Sequence, residues 1–320
     1  MPSSSKTVNV SPFSSQKENI KPEIRKDVSR YTFIHGNLRS LDLLTYVFKT
    51  NAITHVVHFA AQSHVQTSFT DALTYTQDNV VGTHNLLETV RLHCPTLEKF
   101  IHVSTDEVFG SLSVNDPASS EDSLYKPNSP YSASKASSGH IVRAYNKTYD
   151  IKTTVTNCSN NYGPFQYPEK IIPFFILKLM KGEKVPVYGN GLNSRDWLHV
   201  SDHCQAIHLV LTKGTPGEIY NIGGGRELTN IELTHKILKA MNVGEEFIQP
   251  VEDRKGHDLR YSVDISKISK ELGYKPEVDF DKGLQETINW YKNNESWEQD
   301  AIIIEVLPIT IRIWFDDGSW

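Results

Sequence analysis

The sequence predicts an α/β fold, a Rossmann-like parallel sheet that is incomplete at its N-terminus and carries a smaller C-terminal substrate-binding region. Three observations point there. From Tyr31 onward, short apolar runs of strand length alternate with stretches of helical period. The runs are apolar along their whole length, as strands covered by helices on both faces are. One of them, Lys99-Phe100-Ile101-His102-Val103, is followed by the polar Ser104-Thr105-Asp106-Glu107, which sets those residues at a strand's carboxyl end. Ligands bind there in open α/β sheets.

Taken in order, residues 1–30 are polar and rich in Ser and Lys, and the first glycine is Gly36. A dinucleotide-binding fold normally opens with a strand, a glycine-rich turn and a helix, because only glycine lets the backbone approach the pyrophosphate at the helix amino end. That unit, and a second strand ending in an acid for the adenosine ribose, are expected to have no counterpart here. Gly223-Gly224-Gly225 is no substitute, since it lies late and follows the strand pattern of residues 218–222. Residues 31–34 read as a strand, Ser40 as N-cap of a helix over 41–50, and residues 54–59 as a buried strand. Ala60 and Ala61 at its end are small enough for a cofactor to lie close. A helix over 76–93 turns Val80, Val81, Leu86, Leu87 and Val90 inward.

Ser129-Pro130 reads as N-cap and first helical residue of a helix to 149, with Ile141, Val142 and Tyr145 inward. Residues 153–158 form a β-branched strand, and residues 160–164 leave the sheet as a loop. A helix capped by Pro168-Glu169-Lys170 runs to 180, residues 185–188 form a short strand, and Arg195-Asp196-Trp197 follow a Gly189-Asn190-Gly191 turn. Helices follow over 230–241, over 265–272 between Asp264 and Gly273, and over 282–293. Residues 301–320 differ in composition, and alternation around Thr310 and Arg312 argues a strand that could pair with the exposed sheet edge and partly replace the missing first strand. This divides the chain into a polar segment (1–30), a cofactor-binding domain (31–160), a mainly substrate-binding region (161–300) and an apolar tail (301–320).

The chemistry sits between Ser104 and Lys135. Tyr131 and Lys135 are four apart and share a helix face. An ammonium beside a phenol favours the phenolate and is expected to draw the Tyr131 pKa from about 10 toward working pH, where it can act as a base on a hydroxyl. Tyr-x-x-x-Lys alone also arises on ordinary helix surfaces; the strand-end Ser104-Thr105 before it favours the functional reading. Asp106 and Glu107 are either solvated loop acids or an acid and base pair whose pKa values are pushed apart by different surroundings. A net charge of −5 with mixed signs gives no basic stripe, so neither nucleic acid nor a membrane surface is expected as partner. Cys94, Cys158 and Cys204 are odd in number and without metal-ligand spacing, which reads as reduced thiols, no metal and a cytoplasmic location.

Several words in fixed order carry a resemblance: Val57-His58-Phe59-Ala60-Ala61-Gln62-Ser63-His64-Val65, Ser104-Thr105-Asp106-Glu107-Val108-Phe109-Gly110, Ser129-Pro130-Tyr131-Ser132-Ala133-Ser134-Lys135-Ala136, Asn157-Cys158-Ser159-Asn160-Asn161-Tyr162-Gly163-Pro164, Pro168-Glu169-Lys170 and Arg195-Asp196-Trp197. Over residues 31–297 the chain resembles the dTDP-glucose 4,6-dehydratases, extended short-chain dehydrogenases of the NAD-dependent epimerase/dehydratase family. The resemblance implies a homodimeric lyase of nucleotide-sugar metabolism that holds NAD and converts dTDP-glucose to dTDP-4-keto-6-deoxyglucose. It implies Thr105, Asp106, Glu107, Tyr131 and Lys135 as catalytic residues. NAD would meet Asn37, Leu38, Ala60, Ala61, Ser63, Tyr131, Lys135 and Asn161, with Asn37 where an aspartate is usual. The nucleotide sugar would meet Thr105, Asn160, Lys170, Ile171, Pro186, Tyr188, Arg195, Asn230, Arg254 and His257. A solvated Lys170 and an N-cap Asn230 are the plain alternatives, and Asn79 resembles an asparagine that supports the active site. Residues 16–29 look like the loop after the family's second strand. Two other readings stay open: an epimerase or decarboxylase of the same superfamily, and a non-catalytic, truncated nucleotide-sugar-binding relic.

Overall fold

The computed structural model describes residues 7–11, 26, 31–254, 256–295 and 311–314. Its main sheet has seven strands: β1 (Thr7–Ser11), β2 (Tyr31–His35), β3 (His55–His58), β4 (Lys99–Thr105), β5 (Thr153–Cys158), β9 (Ile219–Ile222) and β12 (Ile311–Trp314). Their order is β2-β1-β12-β3-β4-β5-β9. Neighbours run parallel except at β12, which is antiparallel to both β1 and β3.

At the chain ends one expectation changes and another is met. The second strand does have a counterpart: β1 pairs in register with β2 from Thr7 opposite Tyr31 to Ser11 opposite His35. Val8 and Val10 alternating with Thr7, Asn9 and Ser11 is a half-buried strand pattern, which the polarity of the surrounding thirty residues masked. The gap left by the missing first strand is also not open. β12 fills it, with Ile311 opposite Val10 and Arg312 opposite Val57. The tail therefore stands in for the missing first strand, as expected, although antiparallel to both neighbours. Residues 16–25, 27–29, 301–310 and 315–320 lie outside the described residues.

Helices α1 (Leu41–Thr50), α3 (Gly82–His93) and α4 (Pro130–Tyr149) pack with the sheet around Leu44, Val47, Phe48, Leu86, Leu87, Phe100 and Val142. A short helix α2 (Val65–Thr70) lies between β3 and α3. Residues Thr76–Val81 ahead of α3 form a π-helix rather than the regular helix expected. The wider turn shifts the buried face, so Asp78 and Asn79 are buried while Val81 is 45% exposed, the reverse of the 3.6-residue reading. On the other sheet face, α6 (Val200–Lys213) and α8 (Ser266–Leu272) pack against Val57, Ile101, Tyr220 and Ile222.

The smaller region holds β6 (Asn160–Tyr162), α5 (Ile171–Met180), β7 (Val185–Tyr188), β8 (Ser194–His199), β10 (Glu227–Thr229), α7 (Asn230–Met241), β11 (Ile248–Val251) and α9 (Phe280–Asn293). Its own core gathers Ile172, Phe175, Ile176, Trp197, Leu233, Ile237, Leu284 and Ile288.

Buried histidines give the fold a pH dependence. Burial holds His58 down to about 3 and His203 to about 4, and it holds His102 well below its ordinary value, with Lys135 adding to the effect at His58 and His102. Below about pH 6.5 the unfolded chain takes up protons that the folded chain refuses, so stability falls as pH falls from there. Each such histidine contributes up to about 1.4 kcal/mol per pH unit. Thermal unfolding should show a midpoint that drops steadily between about pH 6.5 and about pH 5, above most carboxylate titration. A flat midpoint across that interval would contradict the burial of these rings.

Candidate active site

β4 delivers Thr105 to the carboxyl edge of the sheet, and the chain then tightens into a 3-10 turn over Asp106–Phe109. Thr105 is the N-cap of that turn: its Oγ1 accepts from Glu107 N at 3.3 Å and donates to Asp106 Oδ1 at 3.2 Å. Asp106 is buried and its Oδ2 has no partner among the described residues. Gly110 closes the turn at φ 78, and a Cβ there would fall 2.2 Å from Lys126 O. Only glycine satisfies both demands.

Helix α4 begins as the sequence predicts. Ser129 and Ser132 form a reciprocal capping box with Pro130 as first residue, which fixes the helix start within a turn of Tyr131. Tyr131 and Lys135 are both buried, and Lys135 Nζ donates to Val103 O on β4 at 2.8 Å. The helix is thereby pinned two residues from Thr105. Asn79 adds a second pin: its Oδ1 accepts from Gln62 N at 2.7 Å, and its Nδ2 donates to Gln62 O at 3.0 Å and Ser134 Oγ at 2.9 Å. The loop after β3 and helix α4 are thus held by one carboxamide.

The two acids are polarised apart. Burial pushes the Asp106 carboxyl well up, with Glu107 and Asp196 adding to this and Arg195 and the Thr105 hydrogen bond opposing it. Glu107 is also raised by burial, but Lys170, Arg195 and Arg254 oppose the rise. Asp106 therefore holds its proton more firmly than Glu107 does. The expectation for Tyr131 needs correction: its phenol is pushed well above its ordinary value, by burial first and then by Glu107, with a hydrogen bond to Thr105 opposing. Lys135 does not offset this, because its ammonium is bound to the strand carbonyl and burial lowers its own pKa to about 8.

The remaining expected residues fall into three groups. Around Glu107 stand Lys170, Arg195 and Arg254, cations that lower its pKa, with Asp258 raising it. Lys170 is the N-cap of α5 and donates to Ser63 O at 2.7 Å, so the loop after β3 is bound to the substrate region; Ile171 is the first residue of that helix. Arg254 lies over the Tyr188 ring at 4.7 Å, meets His257 Nε2 at 3.3 Å, and has a buried Nε without a partner among the described residues. His257 Nδ1 pairs with Asp253 at 2.7 Å. Arg195 is buried over Tyr261, with donors on Ser194 O at 2.7 Å and Asp258 O at 2.9 Å, so it is a fixed charge more than a mobile fork.

A second group holds the residues expected to meet the cofactor. Ala60 is buried at the end of β3 with Ala61 after it, and Asn161 on β6 donates to Ser159 O at 3.0 Å while its Oδ1 is buried and unpartnered among the described residues. An unpaired buried acceptor suits an amide N–H such as a nicotinamide carboxamide offers. Asn37 and Leu38 follow the edge strand β2. Asn37 Oδ1 accepts from Arg39 N at 2.9 Å, and Leu38 has its side chain in the core, which leaves its backbone for contact. The nicotinamide end thus has fitting partners. For the pyrophosphate end the described residues offer no glycine-rich turn leading from that slot of the sheet into a helix, since β12 stands there and runs antiparallel.

The third group is not gathered at Glu107 by any described contact. Asn160 lies opposite Trp197 in the β6–β8 ladder, and Pro186 lies in the β7–β11 ladder. Asn230 is the first residue of α7, whose N-cap is Thr229 with a Glu232 capping box. Its N–H donates to Asn193 O at 2.9 Å. Sequence reading missed Asp258 and Tyr261, although both follow the quoted Arg254 and His257. It also gave no role to the half-buried Cys158, whose thiol is pushed up to about 12 by desolvation and which lies opposite Thr105.

A family model described as GDP-mannose 4,6 dehydratase matches residues 4–287, beginning ahead of β1. The chain is 47% identical to a dTDP-glucose 4,6-dehydratase of Streptomyces niveus, over 85% of this chain and 79% of that one. Its fold matches the dTDP-glucose 4,6-dehydratase of Streptomyces venezuelae, solved with NAD bound, at a TM-score of 0.82 and 46% identity, covering 85% of this chain and 83% of that one. The UDP-glucose 4-epimerase of Thermus thermophilus, in complex with NAD, matches at a TM-score of 0.81 but only 28% identity, covering 89% and 90%.

Proposed function

Because the chain belongs to the GDP-mannose 4,6-dehydratase family, we propose that it is a dTDP-glucose 4,6-dehydratase, a lyase that uses NAD to turn dTDP-glucose into dTDP-4-keto-6-deoxyglucose. The observation that carries the reading is the adjacent Asp106 and Glu107 at the end of β4, one buried with its Oδ2 unpartnered among the described residues and the other with Lys170, Arg195 and Arg254 opposing the rise that burial imposes. An epimerase or decarboxylase shares Tyr131 and Lys135 but has no use for this pair.

Each residue has a task that follows from its surroundings. Tyr131, hydrogen-bonded to Thr105, takes the proton of the sugar 4-hydroxyl. NAD, when bound beside Asn161, supplies an acceptor for the electron pair and a positive charge that favours the phenolate the apo site disfavours. A ketone at C4 acidifies the neighbouring C5 hydrogen, which Glu107 removes. Asp106, the more firmly protonated acid, gives its proton to the departing 6-hydroxyl, and the 4-keto-5,6-ene so formed would take the hydride back at C6 and a proton at C5, so that one water is lost and the cofactor ends as it began. Lys170, Arg195, Arg254 and His257 hold the diphosphate, and Tyr188 supports Arg254.

The test is incubation of the chain with dTDP-glucose and NAD, followed by mass and NMR analysis. The expected product is lighter by one water and, made in deuterated solvent, carries deuterium from the protonation steps. A product of unchanged mass favours the epimerase reading. Arg254→Ala should weaken dTDP binding by about 1.5 to 3 kcal/mol, the scale of charge-assisted hydrogen bonds. Arg195→Ala should weaken it to a similar extent, and calorimetric titration with unchanged affinity would remove either residue from the site. No helix among the described residues is long and apolar enough to cross a membrane. A cytoplasmic homodimer is the setting we propose, on the free thiols and the family resemblance.

A further inference from the structure

Asp258 joins parts of the molecule that the reaction needs in register. Its Oδ1 accepts from Asn128 Nδ2 at 2.7 Å, and Asn128 directly precedes Ser129, the cap of helix α4. Its Oδ2 accepts from the buried Tyr261 hydroxyl, whose ring lies under the Arg195 guanidinium at 4.2 Å. Its backbone carbonyl accepts from Arg195 at 2.9 Å and from Asn193 Nδ2 at 3.2 Å. The residues after it are stitched to the segment that follows the catalytic turn: Leu259 N donates to Ser111 Oγ at 2.8 Å, Leu112 N to Arg260 O at 3.0 Å and Ser119 N to Ser262 O at 2.9 Å. The residues before it, Arg254 and His257, are the nucleotide clamp.

We infer that Asp258 is a positioning residue that holds the nucleotide clamp and the Tyr131 helix in one geometry, through Asn128 on the helix side and Tyr261 and Arg195 on the clamp side. The inference rests on the nucleotide-sugar reading above. With the link intact, the loop carrying Arg254 and His257 is ordered before ligand arrives. Without it, that ordering has to occur on binding and subtracts from affinity.

Electrostatics and positioning predict opposite signs, which makes the inference testable without turnover. Asp258→Asn removes a negative charge beside Arg195, so charge alone would tighten binding of the anionic dTDP. Its carbonyl oxygen, however, replaces only one of the two carboxylate oxygens, and the new N–H can keep the other contact only if the Tyr261 hydroxyl turns round to accept, so charge-assisted bonds become neutral ones and a positioning role predicts affinity about tenfold weaker. Asn128→Ala should weaken dTDP binding in the same direction, although Asn128 has no place in the clamp. A role confined to the folding of the loop itself would not reach that far.

Calorimetric titration of the full chain and both variants with dTDP, with thermal unfolding as a check on folding, decides between them. Weaker binding in both variants at near-parental unfolding midpoints supports the inference. Unchanged or tighter binding in Asn128→Ala overturns it, and that variant remains informative should Asp258→Asn not fold. A parent chain with no affinity for dTDP overturns the nucleotide-sugar reading itself, and the inference with it.

Discussion

Glu107→Gln is expected to slow the turnover of dTDP-glucose by about a hundredfold or more while leaving oxidation at C4 intact, since a lost general base costs on that scale. Tyr131→Phe is expected to abolish oxidation, and Asp106→Asn to slow elimination as Glu107→Gln does. Transient absorbance of NADH separates these outcomes. It should build up and persist in the Glu107 and Asp106 variants, where oxidation outruns elimination, and stay absent in the Tyr131 variant. The measurement needs a chain loaded with NAD, so it is made at saturating cofactor. If Glu107→Gln turned over substrate at the parental rate, the base would have to be sought elsewhere, and Asp106, with its unpartnered Oδ2, is the nearest carboxyl. The pH dependence should follow the same division. Activity is expected to fall on the acid side as Glu107 gains a proton, at a pH above the ordinary carboxylate range because burial raises its pKa.

Much of this site was legible because its chemistry is local in sequence. Ser129-Pro130 fixes a helix start, four residues separate Tyr131 from Lys135, and a strand ending in Thr105 must put Asp106 and Glu107 in the crevice. The sign of the Tyr131 shift was not legible. It depends on where the Lys135 ammonium goes, and a carbonyl of β4 rather than the phenol receives it. The π-helix was hidden for a related reason. Periodicity assigns Val81 inward, whereas the part-buried Gln62–Asp78 hydrogen bond at 2.9 Å and the Asn79 bonds to Gln62 and Ser134 accompany one wider turn that carries Val81 outward. Asp258 went unread because its partners Asn128 and Arg195 are far from it in the chain. The strand at residues 7–11 was overlooked because its two valines sit in a polar neighbourhood, and its pairing with β2 and β12 is a property of the sheet.

The 320-residue chain is expected to retain little NAD on purification. The slot between β1 and β3 is held by β12, which runs against its neighbours. A parallel strand there would end at the crevice and turn through glycines into a helix whose amino end faces the pyrophosphate. Here the chain instead enters the strand at that end, from ten residues with no glycine and with Pro308 among them, and β1 ends in Ser11 rather than an acid for the adenosine ribose. The nicotinamide end keeps its partners, so binding should be weak and reversible. The same strand should matter more for stability than its length implies. Removing residues 296–320 would leave β1 and β3 facing an empty slot, and buried backbone groups left unpaired cost about 1 to 3 kcal/mol each against a total stability of roughly 5 to 15 kcal/mol. The truncated chain should therefore unfold at a markedly lower temperature. Bound NAD read from absorbance after denaturation, with thermal unfolding of the full and shortened chains with and without added NAD, tests both statements. Stoichiometric NAD in the full chain would mean that another loop cradles the pyrophosphate. An unchanged midpoint in the shortened chain would mean that β12 contributes nothing to the sheet it completes.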